Sequence, residues 1–183
     1  MGTPANLRTA RLTLVPATAA LARAEIEDRP AFAALLGADV PNAWPPETLA
    51  DALPFFLQQL EAGPDRAGWF TWYGVADAVG SKGPTLVASG GFFGPPQEGS
   101  VENSVEVGYS VLPEFQRRGY ATEMTMGLTE WALAQPSVRR VVANVASDNT
   151  PSLRLLRRIG FSEIGRSDEP GLIRFERARP GYS

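Results

Sequence analysis

Apolar residues recur along this chain in two rhythms, and the switches between them divide it into elements. Alternation near Arg11–Val15 predicts a strand, and a helical region follows within Ala17–Leu36. From Pro46 to Ala62, Leu49, Leu53, Phe56, Leu57 and Leu60 share one helical face, with Pro54 placed to kink or split the element. Trp69–Asp77 and Thr85–Phe93 read as strands joined by a turn at Gly80–Pro84, with Val101–Leu112 as the next strand, so a meander is expected. Ala121, Met124, Leu128, Trp131 and Ala132 then recur at helical spacing as far as about Gln135, and Arg139–Ala146 is a β-branched run. That strand, helix, strand unit predicts a right-handed crossover. Another helix begins near Asn149 or Thr150, with Pro151 in its first turn and Gly160 where a left-handed cap belongs. Ser162–Arg166 and Leu172–Arg177 close the chain as a predicted hairpin turning through Asp168–Gly171. Together these elements predict an α/β fold with a mixed sheet flanked by helices.

The segment VEVGYSVLPEFQRRGYA, Val105–Ala121, carries the most chemistry. Val105, Val107, Tyr109 and Val111 alternate with Glu106, Gly108 and Ser110, so a strand sends the apolar side chains to one face and a carboxylate to the other. Pro113 ends that strand, and Gln116, Arg117, Arg118, Gly119, Tyr120, Ala121 and Thr122 lead into the helix. First-turn amides have no intrahelical acceptor, and with the positive end of the helix dipole they form a site for an anion such as a pyrophosphate. Gly119 and Ala121 give clearance, and Arg117 and Arg118 offer charge-assisted hydrogen bonds; a plain helix start with solvated arginines accounts for the same residues.

Composition narrows the chemistry. A chain of 183 residues with 44% hydrophobic content sustains one sizeable core, so residues 1–183 are read as a single domain. A formal charge of −3 gives no general attraction to nucleic acid or anionic membranes. Cysteine and histidine are both absent, which leaves carboxylates, tyrosine, lysine or water for acid–base work and calls for no metal. No signal-peptide pattern or membrane-length apolar run is present, so the expected location is cytoplasmic.

Three separated signatures resemble the GCN5-related N-acetyltransferase (GNAT) superfamily. The loop from Gln116 to Ala121 resembles its Q/R-x-x-G-x-G/A motif, which holds the pyrophosphate of acetyl-CoA. TARLTLVP, Thr9–Pro16, resembles the T-x-R-L-x-L-x-P opening strand of the RimJ and RimL subgroup. Asn149, Ser152, Leu153, Leu156, Ile159, Gly160 and Phe161 resemble its N-x-x-S-x-x-x-L-x-x-x-G-F pattern. The resemblance implies a mostly antiparallel mixed sheet whose fourth and fifth strands splay apart around the pantetheine arm. It further implies that main-chain groups around Ser110, Val111 and Leu112 hold that arm, and that acetyl-CoA is the co-substrate.

Transfer of an acetyl group to an amine needs the amine neutral, so a carboxylate that accepts its proton directly or through water is useful. Glu106, ten residues before Gln116, is the candidate base, since several members of the family carry a glutamate at a similar distance on that strand. A structural carboxylate paired with an arginine is the alternative, and Glu102 is a weaker candidate. Many members use a tyrosine on the last helix to protonate the departing thiolate; here Leu156 stands at that position, and Ser152 is the substitute within the subgroup pattern. Ser152 also reads as a first-turn serine satisfying helix backbone, and Asn149 as its cap or as a pantetheine contact. Asn144, disfavoured inside a strand, is expected to face the splayed gap. Most aromatic residues are expected in the core; Trp44, between Asn42 and Pro45 in a proline-rich loop, is the candidate for the acceptor pocket.

These readings converge on an N-acetyltransferase in which a primary amine, on a protein N-terminus or a small molecule, attacks the bound thioester directly. The alternative is a non-catalytic acyl-CoA-binding or sensing domain. A nucleotide-using enzyme is disfavoured, because neither G-x-x-x-x-G-K-[ST] nor a strand-following G-x-G-x-x-G occurs. The exposed edge expected in the final hairpin is a candidate surface for a homodimer.

Overall fold

The chain reverses sooner than its hydrophobic pattern predicts. In the computed structural model, which describes residues 2–79, 83–96 and 103–182, a short strand β1 (Leu7–Arg8) pairs antiparallel with β2 (Leu12–Pro16). Two residues are too few to give a periodic signal. Turn residues Gly80–Lys82, together with Val101 and Glu102, lie outside the described residues.

The first helical region is two helices, α1 (Ala19–Glu27) and α2 (Arg29–Leu36). Pro30 has no N–H, and its ring would collide with the Ile26 carbonyl in a continuous helix, so the first helix stops. Asp28 then caps the second, its carboxylate accepting from the Ala31 N–H at 3.0 Å. Pro54 has the expected effect: α3 (Glu47–Ala50) ends before it, and α4 (Leu53–Glu61) carries it in the first turn.

The expected meander is present as β3 (Thr71–Ala76), β4 (Thr85–Phe92) and β5 (Ser104–Val111). Helix α5 (Tyr120–Ala134) leads to β6 (Arg140–Ala146), and α6 (Thr150–Arg158) to the closing hairpin of β7 (Ser162–Arg166) and β8 (Leu172–Ala178). All eight strands form one mixed sheet in the order β1-β2-β3-β4-β5-β6-β8-β7. Every neighbouring pair is antiparallel except β5 with β6. Because β1 adds a strand, the pair expected as fourth and fifth is β5 and β6. The outer strand β7 is exposed along its whole length.

Helices cover both faces at the middle of the sheet, where β3 is buried throughout. Trp72 faces α5, its ring centroid 5.2 Å from that of Trp131, and the next residue, Tyr73, faces α2 with its ring 5.1 Å from Phe32. Helix α5 comes close because the strand beneath it lacks a side chain at Gly90. A Cβ there would stand 3.1 Å from Leu128 and 3.2 Å from Met124, tighter than ordinary packing allows.

Two carboxylates tie these layers together. Glu123, in the first turn of α5, accepts hydrogen bonds from the Thr9 hydroxyl at 2.9 Å, the Arg11 backbone N–H at 3.0 Å and the Arg11 Nε at 2.6 Å. The bend between β1 and β2 thereby holds the start of α5. On the other face, Glu25 of α1 accepts from the Tyr73 hydroxyl at 2.6 Å and from the Trp44 indole N–H at 2.8 Å. Burial pushes the Glu25 carboxyl above its ordinary value, although both hydrogen bonds oppose that shift.

Both anchors are testable by urea unfolding. Glu123→Ala removes the acceptor for three donors and should cost about 2 kcal/mol, read as a lower midpoint at unchanged slope. For Glu25, the folded state holds the proton more tightly than the unfolded chain. Its contribution is therefore fully present below the ordinary value of 4.5 and is lost as pH rises through the raised folded value. The stability difference between wild type and Glu25→Gln should accordingly fall on going from about pH 4 to pH 7. A difference that stays flat with pH would show that the carboxyl is unperturbed.

Candidate active site

A gap opens in the sheet where β5 and β6 part. Their parallel ladder consists of Ser104 with Arg140, Val105 with Val141 and Glu106 with Val142. Beyond it β5 follows β4, as far as Val111 opposite Ala88, while β6 follows β8, as far as Ala146 opposite Leu172. The facing edges diverge, and their backbone groups have no strand partner across the opening. A cavity of about 180 Å³ fills it, lined among others by Val107, Tyr109, Asn144, Asn149 and Ser152.

Two buried oxygens in that lining, Tyr109 Oη and Asn144 Oδ1, have no hydrogen-bond partner. Buried polar groups normally find one, so these two oxygens leave the gap able to bond a group that enters it. Asn144 faces the gap as expected of an asparagine in a strand. Tyr109 differs from expectation. Val105, Val107 and Val111 are buried on the apolar face, but Tyr109 is half-buried and carries its hydroxyl into the opening. Burial raises the Tyr109 phenol above its ordinary value, and the Ser152 hydroxyl stands near enough to oppose this without completing a hydrogen bond. The only signal in the sequence was a phenol set among valines beside Gly108.

Between β5 and α5 the backbone takes Arg117 to φ 59° and Gly119 to φ 86°. A left-handed arginine costs about 1–2 kcal/mol and is the kind of local strain that collects at ligand sites. No side chain caps α5, so the first-turn amides of Tyr120, Ala121 and Thr122 remain available to an anion. Arg117 and Arg118 are exposed beside them. Gln116 is engaged elsewhere, its Nε2 donating to the Val111 carbonyl at 3.0 Å and closing the base of the loop. The Arg11 guanidinium also borders this loop, 4.9 Å from the centroid of the Tyr120 ring. Sequence reasoning placed Arg11 on a strand and assigned it no part here.

At the other end, Asn149 caps α6, its Oδ1 accepting from the Ser152 N–H at 3.2 Å, while both side chains also line the gap. Leu156 is fully buried in the core. Val111 and Leu112 are buried, with the Leu112 N–H donating to the Val87 carbonyl. Glu106 stands at the last rung before the gap, on the strand face opposite Tyr109. Among the described residues it makes no side-chain hydrogen bond or ion pair, so the arginine-paired alternative is not what is seen.

The Glu106 face carries a second cavity of about 210 Å³ between α4 and β3–β5, and Gly108 and Tyr109 line both cavities. Ser110 belongs to this second cavity. Trp44 lines neither. It is 4% exposed, packed 6.2 Å from the Tyr73 ring and bonded to Glu25, so the structure puts it in the core.

The sequence profile of the acetyltransferase (GNAT) domain matches residues 11–162. YjdG of Bacillus subtilis (strain 168), named an uncharacterized N-acetyltransferase, is 29% identical over 126 residues, covering 69% of this chain and 71% of its own. In fold, the chain is similar to RimJ of Mycobacterium smegmatis in complex with CoA-disulfide, with TM-score 0.60, 19% identity and coverage of 96% of this chain and 88% of that one. It is likewise similar to the ribosomal-protein-S5-alanine acetyltransferase of Vibrio fischeri, with TM-score 0.61, 13% identity and coverage of 98% and 100%. This chain belongs to the GNAT family of acetyltransferases, enzymes whose co-substrate is acetyl-CoA.

Gly119 offers a direct test of the phosphate loop. A Cβ there would lie 2.9 Å from Arg11 Nη2 on a backbone at φ 86°, so Gly119→Val should relax the turn and rotate the first amides of α5. Calorimetry with coenzyme A should show affinity weakened about tenfold or more, equivalent to about 1.4 kcal/mol, while circular dichroism stays native.

Proposed function

We propose that this chain transfers the acetyl group of acetyl-CoA to a primary amine by direct attack, the acceptor being a protein N-terminus or a small amine. What carries the reading is one juxtaposition: the gap between β5 and β6 meets the second cavity at Gly108 and Tyr109, with the unpaired Glu106 two residues before Gly108 on the same strand face. A thioester whose diphosphate rests on the start of α5 and whose arm occupies the gap brings its carbonyl toward that junction. The main chain of β5 at Val111, on the lip of the gap, and the side chains of Asn144 and Asn149 hold the arm, whereas the Leu112 N–H and carbonyl are already bonded to Val87 and Phe115; Arg117, Arg118 and the amides from Gly119 to Thr122 hold the diphosphate.

Chemistry then needs two proton movements. Glu106 accepts a proton from the amine, directly or through water, as nitrogen bonds to the carbonyl carbon. The carbon–sulfur bond breaks, and the Ser152 hydroxyl, with the Tyr109 hydroxyl nearby, assists the thiolate by hydrogen bonding until it gains a proton. Leucine has no ionisable group, so Leu156 supplies no acid from that position of α6. No step calls for a metal.

The test is a pH–rate profile of wild type against Glu106→Gln with saturating acetyl-CoA. We expect a loss of about a hundredfold or more in turnover, largest where the wild-type base is ionised, with coenzyme A affinity retained. Equal rates at every pH would remove Glu106 from the mechanism. Binding of acetyl-CoA with no thiol release for any amine would favour a sensing domain instead.

A further inference from the structure

The chemistry of the second cavity says what kind of amine it takes. Leu49, Ala52, Phe56, Phe70 and Phe93 give it apolar walls, and among the described residues that line it none carries a formal charge. Polar groups among them are confined to the strands, where Thr71, Ser89 and Ser110 present hydroxyls. A cationic acceptor with several ammonium groups would lose hydration here, and with Glu106 serving as the base its further charges meet no carboxylate among the described lining residues. An apolar group would gain.

Size points the same way. The volume of about 210 Å³ exceeds the roughly 150 Å³ of an engineered apolar cavity that binds benzene, so one aromatic ring or branched aliphatic side chain fits. The aromatic wall also continues outward. Phe93 is 67% exposed and Phe55 48% exposed, and the Phe55 ring lies 5.9 Å from Phe56 and 6.0 Å from Phe70. Exposed aromatic rings contiguous with an apolar cavity mark a binding surface more than an ordinary patch of solvent-facing protein.

We infer that the acceptor is a primary amine bearing a single aromatic or branched aliphatic group, seated against Phe56, Phe70 and Phe93, and that polycationic amines are poor substrates. This rests on the acetyltransferase reading above, with the second cavity as its acceptor site. The same chemistry is offered by a free arylalkylamine and by a peptide whose first residue is Phe or Leu.

The experiment has three arms on the intact protein. Calorimetry first measures acetyl-CoA binding. Thiol release is then compared for phenethylamine, Phe-Gly-Gly, Leu-Gly-Gly, Asp-Gly-Gly and spermidine, and calorimetry of phenethylamine with the coenzyme A complex reads binding without turnover. We expect kcat/KM at least about tenfold higher for phenethylamine or the two apolar peptides than for spermidine and Asp-Gly-Gly. Phenethylamine ahead of the peptides identifies a small-molecule acceptor, and the reverse an N-terminus. Phe93→Ala, at an exposed position that folding does not need, should raise KM for the apolar acceptors severalfold and weaken phenethylamine binding, with kcat within about twofold. Turnover of spermidine or Asp-Gly-Gly as good as that of the apolar acceptors would overturn the inference alone. So would a KM and phenethylamine affinity indifferent to Phe93→Ala. No acetyl-CoA binding, or binding without release for every amine, would overturn the acetyltransferase reading as well.

Discussion

Competition for strand edges is the constraint on which this molecule depends. β5 pairs with β4 on one side and β6 with β8 on the other, and those antiparallel ladders run on after the parallel β5–β6 ladder has stopped at Glu106 and Val142. Two strands held on outward-turning partners cannot stay in register with each other, so the sheet opens. The opening exposes unpaired backbone on both lips and draws in the side chains of Tyr109, Asn144, Asn149 and Ser152. Elsewhere an open edge inside a sheet would be a defect; here it is the opening in which we propose that the acyl donor lies.

The anion end of that channel is aimed by a contact far away in sequence. Thr9 and Arg11 sit in the bend between β1 and β2, and their three hydrogen bonds to Glu123 fix the first turn of α5. A carboxylate in a first turn also complements the helix dipole. With Glu123 neutralised by Arg11 at 2.5 Å, it does not set a free negative charge beside the amides of Tyr120, Ala121 and Thr122. The T-x-R-L pattern of the opening strand thus has a physical purpose. It orients the helix whose first-turn amides are left unpaired.

Much of this was legible in advance, and the misses have local causes. Pro54 was read as a break by sterics and a missing donor and acts as one; the same physics at Pro30, with Asp28 as the cap between two helices, was not singled out. Asn144 facing the gap followed from its poor fit to a strand. Trp44 was read as a pocket residue because its loop is rich in proline; in the fold its indole N–H meets Glu25, a carboxylate on α1 that no sequence signal marked. Tyr109 was counted with the valines because alternation assigns a face and does not say what that face looks onto. The second cavity draws on Phe56, Phe70, Phe92 and Phe93 from three separate regions, and nothing local distinguished them from core aromatics such as Trp72.

Residue order alone determined the elements, the unpaired amides at the start of α5 and the carboxylate on one face of β5, because periodicity, proline sterics and helix-end geometry act within a few neighbouring positions. Tertiary structure alone decided where the sheet parts, which hydroxyl enters the opening, which tryptophan is withdrawn into the core and which phenylalanines meet around the second cavity. Each of these outcomes is a contact between segments far apart in the chain, and local preferences leave such contacts undetermined until the whole core has packed.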